Sequence, residues 1–240
     1  MPDQIFENPL LVKIYDAFDG ERRDLTHYLS LVKELEAKSV IDVGCGTGSF
    51  PNLIAQNGIE VVGIDPAKES IEIAKTKEFA NKVKWIVDYI EKTTITPADL
   101  IIMTGNVAQV FTTDDQWVQI VSGVKKNLRQ NGHFIFEVRD PSKRAWEKWN
   151  KENTFKSLNI EGVGQVEGWC DLLDVSGELV SFRWNYLFKD IGKVLTSDST
   201  LRFRSKDQII DSLEQLNFTI KEIRDAPDRP GKEFVFIATL

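Results

Sequence analysis

Histidine and cysteine are scarce in this chain, and their scarcity excludes several kinds of site. The 240 residues include two histidines, His27 and His133, and two cysteines, Cys45 and Cys170. There is no Cys-x-x-Cys pair and the histidines lie far apart, so we expect no metal site. Two cysteines are also too few for a disulfide framework in a chain of this size. The simplest interpretation of both cysteines is that they are small packing residues.

Long apolar runs and an excess of positive charge are also missing. No apolar stretch approaches the roughly 20 residues that a membrane-spanning helix needs, and the first residues lack the basic end and the apolar run of a secretory signal. We therefore expect a cytoplasmic protein with no membrane partner. The formal net charge of −7 argues against a nucleic-acid partner, because the average surface would repel phosphates.

The chain does have a regular alternation of strand and helix patterns. Its length suits one large α/β domain spanning 1–240. Two amphipathic helices are predicted at 9–18 and 22–35, before the first strand. The alternating part is then predicted to have strands at 39–43, 60–64, 83–87, 99–103 and 133–138, and helices at 50–57, 68–79 and 114–128. Strands that alternate with helices pair in parallel, and ligands collect at their carboxyl ends.

The pattern changes in the second half of the chain. After a short helix near 142–149, the residues from 180 to 188 mostly alternate between apolar and polar, which is typical of an antiparallel strand. Turn residues on either side predict hairpins with neighbouring strands at 166–173 and 194–203. Residues 152–204 are thus predicted to form an inserted antiparallel β subdomain. A helix at 205–216 and a closing antiparallel pair of strands, 219–224 and 233–239, follow it.

The most informative segment is the turn after the first strand, Asp42-Val-Gly-Cys-Gly-Thr-Gly48. Glycines on alternate positions permit positive φ and close approach of a ligand, and the amides at the start of the following helix favour electron-rich groups. A dinucleotide pattern G-x-G-x-x-G that began at Gly44 would need glycine at position 49, where this chain has Ser49. Asp42, two residues before the first glycine, would suit a cofactor that carries an ammonium group.

This segment resembles motif I of the class I S-adenosylmethionine-dependent methyltransferases. Asp65, at the end of the second strand, falls where that family has its ribose-binding acid, and Asp88 matches its adenine-side acid. Residues 98–106 look like the fourth strand and its following turn. The connection before the fifth strand, 128–132, matches the family's pattern with Gln130 and Asn131 as departures. The resemblance covers roughly residues 39–140 and 205–240.

The resemblance implies an α/β fold with a doubly wound, mostly parallel seven-stranded sheet and an antiparallel β insertion. It implies S-adenosylmethionine as cofactor and a small molecule as methyl acceptor. In such an arrangement, residues 1–38 would lie over the cofactor and residues 152–204 near the acceptor pocket. The cofactor-binding residues that it implies are Tyr15, Asp42, Gly44, Cys45, Gly46, Gly48, Asp65, Pro66, Asp88, Tyr89, Gly105 and Asn106.

The roles implied for these residues differ. The three glycines would make room for the cofactor, Asp65 would accept both ribose hydroxyls, and Asp88 would accept the adenine amino group. Gly105 and Asn106 would line the methionine end. Asp65 could also serve as a helix N-cap before Pro66, and its removal is expected to leave folding nearly intact.

A catalytic group is not evident, because methyl transfer from a sulfonium depends mainly on alignment and on exclusion of water. The candidates are His27 as a general base, Tyr15 as an aromatic face over the cationic centre, and Arg139 as a contact for an acidic substrate group. Tyr15 could instead be a packing residue, and Arg139 could pair with Asp140 or Glu137. In the insertion, the aromatic stripe at 180–188 is either core or part of the acceptor pocket, for which Arg183, Trp184 and Tyr186 are candidates.

Two other functions remain open from the sequence. One is a nicotinamide-dependent oxidoreductase, which the missing glycine at position 49 and the closing hairpin disfavour. The other is a cofactor-binding regulatory module without catalysis. The acceptor atom and the oligomeric state are left open by these residues.

Overall fold

A computed structural model describes residues 2–240 of the chain. Two β-sheets are present in this range, a main sheet of seven strands and a second sheet of four. In chain order the strands are β1 (Ser39–Val43), β2 (Glu60–Ile64), β3 (Val83–Ile86), β4 (Ala98–Met103), β5 (Leu128–Arg139), β6 (Lys156–Ile160), β7 (Gly164–Ser176), β8 (Leu179–Phe188), β9 (Lys193–Arg202), β10 (Thr219–Asp225) and β11 (Glu233–Thr239).

The main sheet has the strand order β10-β11-β5-β4-β1-β2-β3. Strands β1 to β5 pair in parallel with their neighbours, and β11 is antiparallel to both β5 and β10. This is the predicted doubly wound, mostly parallel sheet with its closing hairpin. The carboxyl ends of β1, β2, β4 and β5 meet at one edge, which is where ligands bind in such sheets.

Helices cover both faces of the main sheet. In chain order, the α-helices of residues 2–240 are α1 (Gln4–Glu7), α2 (Pro9–Asp19), α3 (Asp24–Glu34), α4 (Ser49–Gln56), α5 (Lys68–Ala74), α6 (Asp114–Asn127), α7 (Lys151–Thr154) and α8 (Lys206–Gln215), of which α7 contacts the second sheet. On one face α6 and α8 bury Trp117, Ile209 and Leu213 against the strands. On the other face α3 and α4 bury Tyr28 and Ile54. Helices α6 and α8 each begin with a capping box, at Thr113 and Ser205.

The second sheet, β6 to β9, is antiparallel throughout and lies within the predicted insertion. Its apolar face packs against the N-terminal helices: Tyr186 and Phe188 of β8 form a buried cluster with Leu11, Ile14 and Phe18 of α2. The N-terminal helix α2 is thus packed against the predicted insertion.

Several predicted boundaries were wrong. The helix predicted at 68–79 ends at Ala74, because tighter three-residue turns follow, such as Lys77 N to Ala74 O, and Phe79 has φ +66°. The predicted helix near 142–149 is two short 3-10 turns separated by Arg144 at φ +45°. Strand β6 was not predicted, because it is an edge strand with little apolar alternation, and β5 begins five residues earlier than predicted.

Candidate functional site

The turn between β1 and α4 has the glycine conformations that the sequence predicts. Gly44, Gly46 and Gly48 have φ values of +74°, +51° and +78°. Their surroundings differ, however. A Cβ on Gly44 would lie 2.6 Å from Val107, and a Cβ on Gly48 would lie 2.6 Å from both Ala74 and Trp85, whereas a Cβ on Gly46 would meet nothing within 4 Å.

The three glycines thus differ in what surrounds them, and their contact with a ligand stays a prediction. Gly44 and Gly48 make room for side chains of the protein itself, because the turn is packed between the β4 connection, α5 and β3. Only at Gly46 does the missing side chain leave open space. At Gly46, therefore, the side of the backbone that would carry a Cβ is open.

This difference predicts that two similar substitutions will differ in their effects on stability and on ligand binding. Gly46→Ala should cost about 1 to 2 kcal/mol of stability from positive φ alone and should weaken ligand binding on the order of tenfold. Gly48→Ala should cost about 3 kcal/mol, because overpacking against Ala74 and Trp85 adds to the same backbone strain. Urea unfolding and S-adenosylhomocysteine titration of both variants check this. Greater destabilisation in Gly46→Ala than in Gly48→Ala would contradict the packing described here.

Asp65 is buried at the carboxyl end of β2 and is tied to the first turn. Its Oδ2 accepts a hydrogen bond from Gly46 N at 2.8 Å, and its Oδ1 accepts one from Ala67 N at 2.8 Å. Burial raises the pKa of Asp65, against the lowering effect of these two amides. The sequence predicts little effect of Asp65 on folding, but we now expect its loss to destabilise the fold, because it would leave two amides without acceptors. Each carboxylate oxygen retains a second lone pair for a ribose hydroxyl.

Asp42 lies at the end of β1 and is 1% exposed. Its Oδ1 is buried and has no hydrogen-bond donor among the described residues. Burial raises the pKa of Asp42 well above its ordinary value. The positive charge of Arg22 lowers this pKa, and the negative charge of Asp65 raises it. A buried carboxylate oxygen without a donor is costly. An ammonium group would supply the missing donor.

A second buried acceptor without a donor lies in the turn after β4. Asn106, at φ +62°, is 2% exposed, and its Oδ1 has no donor among the described residues. The turn is held by Glu137 of β5, whose Oε1 accepts from Gly105 N at 2.7 Å and from Asn106 N at 3.0 Å. Burial and the nearby Glu233 carboxylate raise the pKa of Glu137 to about 7. Since β1 and β4 are adjacent strands, Asp42 and Asn106 follow neighbouring strand ends.

Arg22, which sequence reasoning missed, lies beside the same turn. Its Nη2 is 3.8 Å from the position of a Cβ on Gly105. Asp24 accepts hydrogen bonds from its Nε at 2.9 Å and its Nη2 at 2.6 Å, which fixes the guanidinium plane. The charge of Arg22 acts on both Tyr15 and Asp42. In the sequence, an arginine two residues before an aspartate looks like any surface ion pair, so no signal would have selected it.

Tyr15 of α2 lies over this group of charges. Burial raises the pKa of Tyr15. The negative charges of Asp19, Asp16 and Asp65 raise it further, whereas the positive charge of Arg22 lowers it. Its neighbour on the helix, Asp16, accepts a hydrogen bond from Thr47 of the first turn at 2.5 Å and pairs with Lys77 at 2.6 Å. The N-terminal segment is thus attached directly to the glycine turn.

The remaining predicted cofactor residues surround the ends of β2 and β3. Asp88 is half-buried, and its Oδ1 accepts from Tyr89 N at 2.8 Å. Tyr89 lies under the ammonium of Lys92, 4.6 Å from the ring centre. Pro66 follows Asp65 at the β2 end. Cys45 is buried within the turn, and burial raises the pKa of its thiol well above the ordinary value.

Of the three catalytic candidates, the structure separates His27 from the others. Burial and the charge of Arg224 lower the pKa of His27, and its other charged neighbours are Asp228 and Glu34. These residues belong to α3 and to the β10–β11 side of the sheet, so His27 is not grouped with Asp42 or Asp65. Its Nε2 is buried without a partner among the described residues.

Within the insertion, Arg183 and Tyr186 have different surroundings. Arg183 forms a two-pronged ion pair with Asp198 of β9, at 2.6 and 2.7 Å. Tyr186 is 3% exposed, packs edge-on against Phe18 at 5.0 Å, and is electrostatically coupled to Tyr15. Within the aromatic stripe, Tyr186 and Phe188 are buried, whereas Phe182 and Trp184 are partly buried. The guanidinium of Arg183 is already paired with Asp198.

Comparison with known proteins agrees with this geometry. The methyltransferase domain family matches residues 34–192. A ubiquinone biosynthesis O-methyltransferase of Proteus mirabilis is 31% identical over 115 residues, and the cypemycin N-terminal methyltransferase of a Streptomyces species is 24% identical over 119 residues. These alignments cover 47% and 49% of this chain, and 46% and 49% of the two relatives. The chain thus spans about half the length of the curated relatives it matches.

Solved structures match over nearly the whole chain. The CcbJ methyltransferase of Streptomyces caelestis superposes with a TM-score of 0.77 at 15% identity, covering 98% of this chain and 96% of that one. An S-adenosylmethionine-dependent methyltransferase of Clostridium acetobutylicum gives a TM-score of 0.76 at 16% identity, covering 92% and 93%. The sugar N-methyltransferase KedS8 of a Streptoalloteichus species gives 0.71 at 15% identity, covering 91% and 87%.

The fold is the Rossmann-like fold of class I methyltransferases. The chain belongs to the methyltransferase domain family. No helix among residues 2–240 is both long and apolar enough to cross a membrane.

Proposed function

We propose that this protein transfers the methyl group of S-adenosylmethionine to a small-molecule acceptor. The observation that carries the proposal is that two buried acceptor oxygens at the ligand-binding edge, Asp42 Oδ1 and Asn106 Oδ1, have no donor among residues 2–240. They follow adjacent strands at the ligand-binding edge, with the guanidinium of Arg22 above the same turn. Two acceptors beside a cation fit the ammonium and carboxylate of an amino acid, which is one end of this cofactor.

Each residue at the site is assigned to one chemical group of the cofactor. Asp42 and Asn106 would accept hydrogen bonds from the ammonium group, and Arg22 would donate to the carboxylate. Asp65, beside the open Gly46, would accept from the ribose hydroxyls, and Asp88 from the adenine amino group. Tyr15 would cover the sulfonium side, where an aromatic face favours a cation. Gly44 and Gly48 support the turn rather than touch the ligand.

Bound S-adenosylmethionine supplies an activated methyl group on sulfur. The protein's part is then to hold the acceptor in line with that methyl group and to exclude water, for which orientation alone contributes roughly 7 to 11 kcal/mol in favourable cases. The burial of Tyr15 and Tyr186 between α2 and the second sheet supports such a closed site. No residue need act as a strong acid or base.

The packing of α2 against the insertion, on the side of the predicted cofactor residues, supports a small acceptor. The names of the similar proteins include both an O-methyltransferase of ubiquinone biosynthesis and a sugar N-methyltransferase, so they leave oxygen and nitrogen as acceptor atoms. We infer that residues 1–38 cover the cofactor and that residues 152–204 contribute to the acceptor pocket. A cytoplasmic location stays a prediction from the sequence.

The direct test is transfer of a labelled methyl group. The purified chain is incubated with methyl-labelled S-adenosylmethionine and a library of small-molecule amines, phenols and acids, and the products are separated by mass. We expect at least one labelled product that is absent without the protein. Binding of S-adenosylhomocysteine without transfer to any acceptor would favour the non-catalytic cofactor-binding module. Binding of NAD instead would favour the oxidoreductase.

A further inference from the structure

Arg139 ends β5 at the carboxyl edge, in the region where an acceptor would approach. Its side chain is 24% exposed, so a ligand can reach it, yet burial lowers its pKa. A partly buried guanidinium is stable only where hydrogen bonds and opposite charges compensate it. Its partners in the protein are therefore informative.

The carboxylates near Arg139 are engaged by other groups. Asp140 Oδ1 accepts from Ser142 N at 2.9 Å, and Glu137 Oε1 holds the two amides of the β4 turn. Glu233 is the remaining acid, and its Oε1 lies 3.7 Å from Arg139 Nε but only 2.6 Å from Arg229 Nη1. Neither pairing expected from the sequence, with Asp140 or with Glu137, is formed.

Among residues 2–240, the one side-chain hydrogen bond of Arg139 goes to a neutral group. Its Nη1 donates to Gln109 Oε1 at 3.1 Å, and its backbone N donates to the same oxygen at 3.3 Å. The guanidinium carbon lies 5.8 Å from the ring centre of Trp149, which restrains the side chain. Most of the five N–H donors of the guanidinium thus lack an acceptor among the described residues. Its position is nevertheless held by Gln109 and by Trp149.

The surroundings place Arg139 at one end of a row of aromatic side chains. Trp149 packs against Phe182 of β8 with ring centres 4.6 Å apart. Phe182, Trp184 and Tyr186 share one face of β8, and successive members of such a row are roughly 7 Å apart. Tyr186, at the far end, is next to α2 and electrostatically coupled to Tyr15. A small acceptor along this row would have Arg139 at one end and the cofactor side at the other.

We propose that the methyl acceptor carries an anionic group, a carboxylate or a phosphate, and that Arg139 binds it. The fork of the guanidinium suits both groups, because each offers two oxygens in the right geometry. A protein with net charge −7 also needs a local cation to attract such an acceptor. This inference rests on the proposed methyl transfer and adds the chemical class of the acceptor.

The test uses the full chain saturated with S-adenosylhomocysteine, so that cofactor binding is established before any acceptor is added. Matched probes are then titrated by calorimetry: hydroxy- and aminobenzoates against their carboxamides, and amino-sugar phosphates against the unphosphorylated amino sugars. The variants are Arg139→Gln, Arg139→Lys and, as control, Arg183→Gln. Arg183 is a matched arginine, because it pairs with Asp198 outside the proposed site.

We expect members of one anionic panel to bind, and their neutral counterparts to bind about 10- to 100-fold more weakly. Arg139→Gln should remove that preference, Arg139→Lys should retain part of it, and Arg183→Gln should leave it unchanged. All variants should bind S-adenosylhomocysteine like the native protein. Which panel binds separates carboxylate from phosphate.

The proposal is overturned if neutral probes bind as well as anionic ones, if no anionic probe binds to the S-adenosylhomocysteine complex, or if Arg139→Gln keeps the preference. Failure of S-adenosylhomocysteine itself to bind would instead overturn the proposed function. The two failures are thus distinguished in the same titrations.

Discussion

Replacing Asp65 with alanine is expected to weaken S-adenosylhomocysteine binding by about 100-fold and to lower the free energy of unfolding by about 2 to 4 kcal/mol. The first effect follows from loss of the acceptor for the ribose hydroxyls. The second follows because Gly46 N and Ala67 N lose their acceptor in a buried place. Calorimetric titration and urea unfolding measure the two effects separately.

Asp99 offers a matched control for this variant. It lies at the opposite edge of the main sheet, where its Oδ2 accepts from Lys38 N and Ser39 N, both at 2.9 Å. Asp99→Ala should therefore destabilise the fold through two backbone amides, as Asp65→Ala does, without changing the affinity for S-adenosylhomocysteine. Equal losses of affinity in both variants would show that the effect of Asp65 is structural and that the ribose assignment is wrong.

Replacing Glu137 with glutamine is expected to stabilise the ligand-free protein at pH 8 by about 3 kcal/mol. Burial and Glu233 raise the pKa of Glu137 from an ordinary 4.5 to about 7. The native state therefore holds this proton more tightly than the unfolded state does. The resulting stabilisation is fully present below about pH 4.5 and is lost as the pH rises through 7. Glutamine stays neutral and can still accept from Gly105 N and Asn106 N.

The measurement is the free energy of unfolding between pH 5 and pH 8 for the native protein and for Glu137→Gln. The native protein should lose stability over this range, and the variant should lose about 3 kcal/mol less. Glu152→Gln, at an exposed position on α7, should follow the native curve. A Glu137→Gln curve parallel to the native one would mean that Glu137 titrates normally in the folded protein.

The sheet was predictable because its signals are local. Alternating apolar strands and helices, the Thr113 and Ser205 capping boxes and the glycine turn each depend on a few neighbouring residues. The predicted elements that failed depend on distant contacts. Strand β6 is an edge strand whose pairing partner is β7. Helix α5 ends at Ala74, which packs against the glycine turn.

The site was predictable in part for the same reason. Asp42 and Asp65 could be located from strand ends, but the sequence did not reveal that Asp65 anchors Gly46 N or that Val107 fills the space beside Gly44. Arg22 lies beside the turn that contains Gly105 because the connection between the N-terminal helices α2 and α3 passes there. The surroundings of Arg139 likewise come from four separate segments, so its unpaired donors could not be inferred from its neighbours in sequence.

The central claim is that the first turn and its flanking carboxylates bind the nucleoside and amino-acid ends of S-adenosylmethionine. Calorimetric titration of the native chain with S-adenosylhomocysteine and, separately, with NAD tests it most directly. We predict binding of one S-adenosylhomocysteine per chain, with a dissociation constant in the range of about 1 μM to 1 mM that is usual for enzyme substrates, and no heat from NAD. Binding of NAD with no binding of S-adenosylhomocysteine would contradict the account.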